Sequence, residues 1–165
     1  MIFADRQDAG QQLAALAANK IHSKGLVLGI PRGGVVVAKV VADKLKWPLR
    51  VLAAKKISDP GNPELALGAK VKPTSLEVSG LNIVLVDDGI ATGYTVEAAV
   101  KWLRSHQAKK ITVAVPVCAV DTARRLKPLV DQWLCLHEAD NLYAVGQFYR
   151  QFSQVADEEV LQLLA

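Results

Sequence analysis

The stretch Ile83-Val84-Leu85-Val86-Asp87-Asp88-Gly89-Ile90-Ala91-Thr92-Gly93-Tyr94-Thr95 constrains the fold more than any other part of the chain. Four aliphatic residues run straight into two carboxylates, and a turn of small and hydroxylated residues follows. After the turn, residues 96–103 are amphipathic. A short unbroken apolar run reads as a strand buried on both faces, and the amphipathic run as a helix. The turn is then a loop at the carboxyl end of a strand, where open α/β sheets bind ligands. Ala91 and Gly93 let a ligand approach the backbone, and the helix N-terminus offers unpaired N–H groups to an anion. The Thr92 and Thr95 hydroxyls can donate to the same anion. Asp87 and Asp88 repel it, so they need hydroxyls, a metal or a cation. A sugar phosphate meets both demands.

As a whole the stretch resembles the phosphoribosyl-diphosphate (PRPP) motif of type I phosphoribosyltransferases: apolar strand, acidic pair, then a small-Thr-Gly-x-Thr turn without a gap. No Gly-Lys-Ser/Thr follows, as a Walker loop requires, and the Gly-x-Gly-x-x-Gly spacing of dinucleotide binders is absent. The resemblance implies one α/β domain over residues 1–165, a mainly parallel twisted sheet flanked by helices, with a small C-terminal hood at about 137–152. It further implies phosphoribosyl transfer from PRPP to a nitrogen acceptor, a nucleobase, with release of Mg²⁺-diphosphate, as in purine or pyrimidine salvage.

A chain of 165 residues, 51% of them apolar, suits a sheet covered on both faces. The net charge of +4 is compatible with a small polyanionic substrate and with weak nucleic-acid binding. Cys118 and Cys135 form no Cys-x-x-Cys pair and read as free buried thiols. His22, His106 and His137 share no metal-ligand spacing, and no metal ligand is assigned to the protein itself. No signal design or membrane-length apolar run is present, which predicts a cytoplasmic protein. The sequence is compatible with a homodimer.

In chain order, residues 5–21 read as a helix, 26–30 as a buried strand, 35–45 as a helix closed by Trp47-Pro48, and 49–54 as a strand. Strand, helix, strand predicts a crossover between parallel neighbours. Lys55 and Lys56 follow at the strand's end. Ser58-Asp59-Pro60-Gly61-Asn62-Pro63-Glu64 is turn-rich, 65–69 reads as a short strand, and Lys72-Pro73-Thr74-Ser75 as the tip of a short lid at about 57–80. Further on come a helix at 95–105, a strand at 111–115 ended by Pro116, and a helix at 120–129 whose Arg124, Arg125 and Lys127 read as a solvated face. A last strand at 132–136 and a helix at 157–164 complete the pattern.

Pro31-Arg32-Gly33-Gly34 is a second candidate site. Two glycines permit dihedrals closed to other residues and form an anion-binding concavity, and Arg32 adds a fork of donors. Taken alone, the segment is equally a tight turn with a solvated arginine. The resemblance makes it the family's pyrophosphate loop, with a strained, cis peptide expected near Arg32, and makes Lys56, with Lys55 beside it, the lysine that reaches the diphosphate.

The Pro-Gly-Asn-Pro-Glu stretch and the segment from Ala144 to Val160 resemble a group of uncharacterised bacterial phosphoribosyltransferase-like proteins. That group carries a long mobile insertion before the acidic strand, which is short here, so a PRPP-binding regulator without turnover stands as the alternative. Lys70 and Lys72 read either as lid cations or as surface residues. In the hood, the resemblance makes Tyr143, Phe148 and Tyr149 base-stacking candidates; aromatics packing the tail onto the sheet edge are the other reading. It assigns the ribose hydroxyls to Asp87 and Asp88, the diphosphate to Arg32, Lys56 and the Gly33 and Gly34 amides, and the 5′-phosphate to the loop from Gly89 and Ile90 through Ala91, Thr92, Gly93 and Tyr94 to Thr95. Transferases for 6-oxopurines carry an Asp where Ala91 stands, so the resemblance disfavours hypoxanthine or guanine as acceptor.

Overall fold

A computed structural model describes the backbone of residues 1–165 and all side chains except those of residues 63–67. Five strands form one parallel sheet: β1 (Leu26–Gly29), β2 (Leu49–Val51), β5 (Asn82–Val86), β6 (Lys110–Ala119) and β7 (Gln132–Ala139). Their order is β2-β1-β5-β6-β7, and every neighbouring pair runs parallel. The order reverses between β1 and β5. Loops leaving the two strands there diverge and open a crevice at the carboxyl edge.

The central strands β1 and β5 are apolar but for Asn82 because both of their faces are covered, whereas the edge strands carry Arg50 on β2 and Gln132, His137 and Glu138 on β7. Leu28, Leu85, Ile111 and Val113 point into a core shared with α3 (Tyr94–Ser105) and α4 (Val120–Leu126), whose Val96, Val100, Leu103, Ala123 and Leu126 fill it. Val27, Val84, Val86 and Ala114 point the other way, onto α1 (Arg6–Lys20) and α2 (Gly33–Leu45). Burying one such aliphatic side chain stabilises the fold by about 1.5–3 kcal/mol. The last helix, α5 (Asp157–Leu164), closes this second layer with Val160. Asp5 caps α1, its Oδ1 accepting the Asp8 N–H at 2.8 Å, and so starts the helix with Arg6 facing the crevice.

Three expectations change in and beside the hairpin, and a fourth at Pro116. The strand expected at 49–54 stops at Val51, and the chain turns at Leu52 and Ala53 into an antiparallel hairpin, β3 (Ala54–Asp59) with β4 (Asn62–Val71). The hairpin turns at Pro60-Gly61, where Asp59 Oδ1 accepts the Gly61 N–H at 2.8 Å, and not at residues 72–75. Asp-Pro-Gly-Asn is strong turn chemistry, and it outweighs the weaker signal downstream. The strand expected at 65–69 is part of β4.

Pro116 does not end β6. Beyond the end of β5 the strand keeps its pairing with β7 from Val117 to Ala119, and Ile90 bridges its other side. One missing donor is tolerated where the flanking residues carry the ladder. No helix among the described residues is long and apolar enough to cross a membrane.

Candidate active site

Three segments meet at the carboxyl edge: the Pro31–Gly34 turn after β1, the Asp87–Thr95 loop after β5, and β3 of the hairpin. The Pro31–Arg32 peptide is cis, as the resemblance implied. Gly33 and Gly34 are needed for close approach and not, as expected, for unusual dihedrals. A Cβ on Gly33 would lie 2.2 Å from Asp88 Oδ2, and one on Gly34 would lie 2.8 Å from Asp87 Oδ1. The start of α2 is therefore pressed directly against the acidic pair.

That pair is not symmetric. Asp88 Oδ2 lies 2.9 Å from Arg6 Nε, its carbonyl oxygen accepts the Tyr149 hydroxyl at 2.6 Å, and its N–H donates to Asp87 Oδ1 at 2.8 Å. Among the described residues Asp87 makes no ion pair, though the Arg6 charge near it favours its carboxylate slightly. Burial, with the charge of Asp88 added, pushes its carboxyl well above the usual range. Asp87 is thus the carboxylate that a cation or a hydroxyl-rich ligand would satisfy.

The loop is held from behind. Ile90 is tied to β6 by its N–H to Val117 (2.9 Å) and its carbonyl to the Ala119 N–H (3.0 Å). The Thr122 hydroxyl donates to the Ala91 carbonyl at 2.6 Å, and Arg125 donates to the Thr92 carbonyl and to Glu97. Gly93 has φ +80°, a left-handed conformation that favours glycine. The carbonyls are drawn toward α4, while the N–H groups of Ala91, Thr92 and Gly93 donate to no described residue. These donors and the α3 N-terminus suit an anion.

A cavity of ≈ 150 Å³ joins Lys56, Asp87, the loop backbone, Thr95 and Val145. Arg32 opens instead onto a neighbouring cavity of ≈ 450 Å³ with Arg6, Gly33, Lys72 and Asp157, where its guanidinium is 3.8 Å from Asp157. Lys55 does not line the loop cavity; it is exposed on the hairpin. Tyr94 lies under the Arg125 guanidinium, 5.5 Å from ring centre, and lines a different pocket.

In the hood, Tyr149 is buried against Phe3 and Phe152, so its ring packs the tail and is not presented for stacking. Phe148 leans on His137, and Tyr143 is 84% exposed. Two hood residues reach the loop: Tyr149 through its hydroxyl on the Asp88 carbonyl, and Val145, whose Cγ1 would meet a Cβ on Gly89 at 2.5 Å.

Sequence reasoning missed Arg6, Thr122, Arg125 and Val145. Thr122 and Arg125 stand three apart on one helix, a spacing that puts both on one face, but grouping Arg125 with Arg124 hid it. Arg124 is the solvated one, 75% exposed and paired with Asp121. Arg6 carries no local signal.

The phosphoribosyl transferase domain family model matches residues 3–153. The chain belongs to that family. Among phosphoribosyl transferase relatives, a Mycobacterium tuberculosis "putative phosphoribosyl transferase" is 36% identical over 205 aligned positions, covering 99% of this chain and 46% of the relative. The chain therefore spans about half the length of that protein. The aligned span also exceeds this chain's 165 residues, so the relative carries insertions that this chain lacks. The adenine phosphoribosyltransferase of the same organism is 33% identical, over 70% of this chain and 58% of its own. The crystal structure of TT1426 from Thermus thermophilus superposes with a TM-score of 0.86 and 33% identity, over 99% of this chain and 98% of that one.

No group of three or more His, Cys, Asp or Glu among the described residues could hold a metal by itself. One half-buried, unpaired carboxylate does fit a cation whose other ligands come from substrate, as Mg²⁺ on a diphosphate does. In this phosphoribosyl transferase domain Cys118 and Cys135 are free, and burial pushes each thiol up to about 12, which leaves both unreactive near neutral pH.

Proposed function

We propose that this chain transfers the phosphoribosyl group of PRPP to a ring nitrogen of a nucleobase in the cytoplasm and releases diphosphate. The observation that carries the reading is the loop cavity, where a half-buried, unpaired Asp87 faces Lys56 and three unpartnered backbone N–H groups. The loop amides and the Thr92 and Thr95 hydroxyls hold the 5′-phosphate. Asp87 holds the ribose hydroxyls, and Asp88, fixed by Arg6, adds negative charge beneath the ring. As the bond to the diphosphate oxygen breaks, that oxygen takes the electron pair and the ring becomes cation-like, a charge the two carboxylates stabilise. The acceptor nitrogen's lone pair then closes on the anomeric carbon, and the proton that this nitrogen carried passes to the departing diphosphate or to solvent. Lys56 and Arg32 neutralise the departing diphosphate, and Mg²⁺ carried on it supplies further charge neutralisation.

The adenine phosphoribosyltransferase among the relatives supports a base as acceptor, and Ala91, which offers no carboxylate, disfavours 6-oxopurines. A PRPP-binding regulator without turnover is the second reading, favoured by the residues that the mycobacterial relative has within the matched span and this chain lacks. Diphosphate release measured across a panel of nucleobases separates the two. Base-dependent release, reduced about 100-fold or more in Asp87→Asn and Asp88→Asn, supports transfer; turnover unchanged in those variants removes the assigned roles.

A further inference from the structure

Four lysines on the β3–β4 hairpin have no acidic partner among the described residues. The lysine ion pairs that do occur there belong to Lys39, Lys101 and Lys127. Lys55 and Lys70 are direct cross-strand partners. Like charges facing each other in a ladder are destabilising, and no ion pair to either lysine occurs among the described residues. Lys72 follows one residue beyond β4, placed there by its N–H to the Ala53 carbonyl at 2.9 Å.

Beneath them lies a cavity of ≈ 820 Å³, lined by Lys55, Lys56, Lys70 and Lys72 together with Val71 and Trp102. Its volume falls within the range of small-molecule sites. The apolar part is specific. Val71 packs on the sheet core, and the half-buried Trp102 ring stacks on His106 at 3.9 Å and 21°. Ile57, 50% exposed, extends the apolar lining. A cluster of unpaired cations above an aromatic and aliphatic floor suits one kind of small molecule: an anion that carries a flat aromatic group.

We propose that this cavity is a second ligand site, distinct from the phosphate loop, which binds a nucleotide with its phosphates on Lys55, Lys70 and Lys72 and its base against Trp102 and Val71. A free inorganic polyphosphate would satisfy the lysines and leave the floor wet. A nucleoside would do the reverse. A nucleotide uses both, and neutralises the Lys55–Lys70 repulsion on binding. Lys56 lines this cavity and the loop cavity alike, so the two sites share a wall.

The test uses the full chain and follows the indole N–H signals of its three tryptophans, Trp47, Trp102 and Trp133, by NMR. ATP, tripolyphosphate and adenosine are titrated separately. ATP is expected to move the Trp102 signal saturably and to bind more tightly than either fragment. In Lys70→Ala, with Lys70→Gln as the second variant, the ATP midpoint is expected to weaken about tenfold, while unmoved Trp47 and Trp133 signals report an intact fold. A Trp102 signal that ATP does not move would overturn the proposal. So would titration of both Lys70 variants like the parent, or tripolyphosphate binding as tightly as ATP. PRPP binding is read at the amides of residues 91–95, so failure of the transfer reading and failure of this site appear in different signals.

Discussion

Arg6 and Asp88 are 82 positions apart in the chain, yet Nε of one lies 2.9 Å from Oδ2 of the other, with side chains only 12% and 14% exposed. The same guanidinium donates to the Ser153 carbonyl at 2.7 Å and covers the Phe152 ring at 4.0 Å. One side chain thus ties the first helix and the C-terminal tail to the acidic pair. The two adjacent carboxylates therefore differ: Asp88 is held in place by an ion pair with Arg6, and Asp87 has no ion-pair partner among the described residues.

Breaking a largely buried ion pair by removing one partner leaves the other charge desolvated. Arg6→Met keeps an apolar stem at this position and deletes the guanidinium that pairs with Asp88 and covers Phe152. The expected loss is about 3 kcal/mol of unfolding free energy, read from the urea midpoint at neutral pH. A loss within 0.5 kcal/mol, roughly the scatter of ordinary surface substitutions, would mean that the pair does not hold the tail and the acidic loop together.

Asp87 gives the protein a pH dependence with a definite sign. Its folded-state carboxyl holds its proton more tightly than in the unfolded chain, because burial and Asp88 both disfavour the charge. Its contribution to stability is complete below the ordinary carboxylate value of about 4 and is lost as pH rises through the raised value. Asp87→Asn cannot ionise and keeps its neutral form throughout. The melting temperature of the variant should therefore gain on the parent by several degrees between pH 4 and neutrality. A difference independent of pH, or one that shrinks as pH rises, contradicts the assignment.

On the proposed reading, Arg125 is a positioning residue for the loop after β5. It and Thr122 hold the Thr92 and Ala91 carbonyls away from the anion's side. Arg125→Met should weaken inorganic phosphate binding about tenfold, the loss of one preorganised charge-assisted contact, with the melting temperature little changed. Arg124→Met, at the solvated position beside it, should bind as the parent does. Equal affinities in both variants would show that the loop keeps its geometry without α4.

What could be read from sequence was what local chemistry determines. The unbroken run 83–86, two acids and a small-residue turn announced β5, its loop and α3, because burial on both faces and helix initiation are written in consecutive residues. The helix at 157–164 was legible for the same reason. Pro116 misled because its cost depends on neighbours that the sequence does not display; β7 and Ile90 carry the ladder past it. Gly33 and Gly34 were identified as necessary for the wrong reason, since close approach to Asp87 and Asp88 needs the third dimension to be seen. Arg6 was invisible, as no periodicity links the sixth residue to the eighty-eighth. Tyr149 could be read from sequence either as a stacking ring or as packing for the tail, and its hydroxyl on Asp88 and its ring against Phe3 and Phe152 favour the second.

The central claim, that the loop after β5 and the acidic pair bind PRPP, is tested most directly by calorimetric titration of PRPP with Mg²⁺. The account predicts saturable binding of one PRPP per chain, weakened in Arg125→Met and in Asp87→Asn. Absence of any saturable heat up to about 1 mM, the upper end of ordinary substrate ranges, would contradict it.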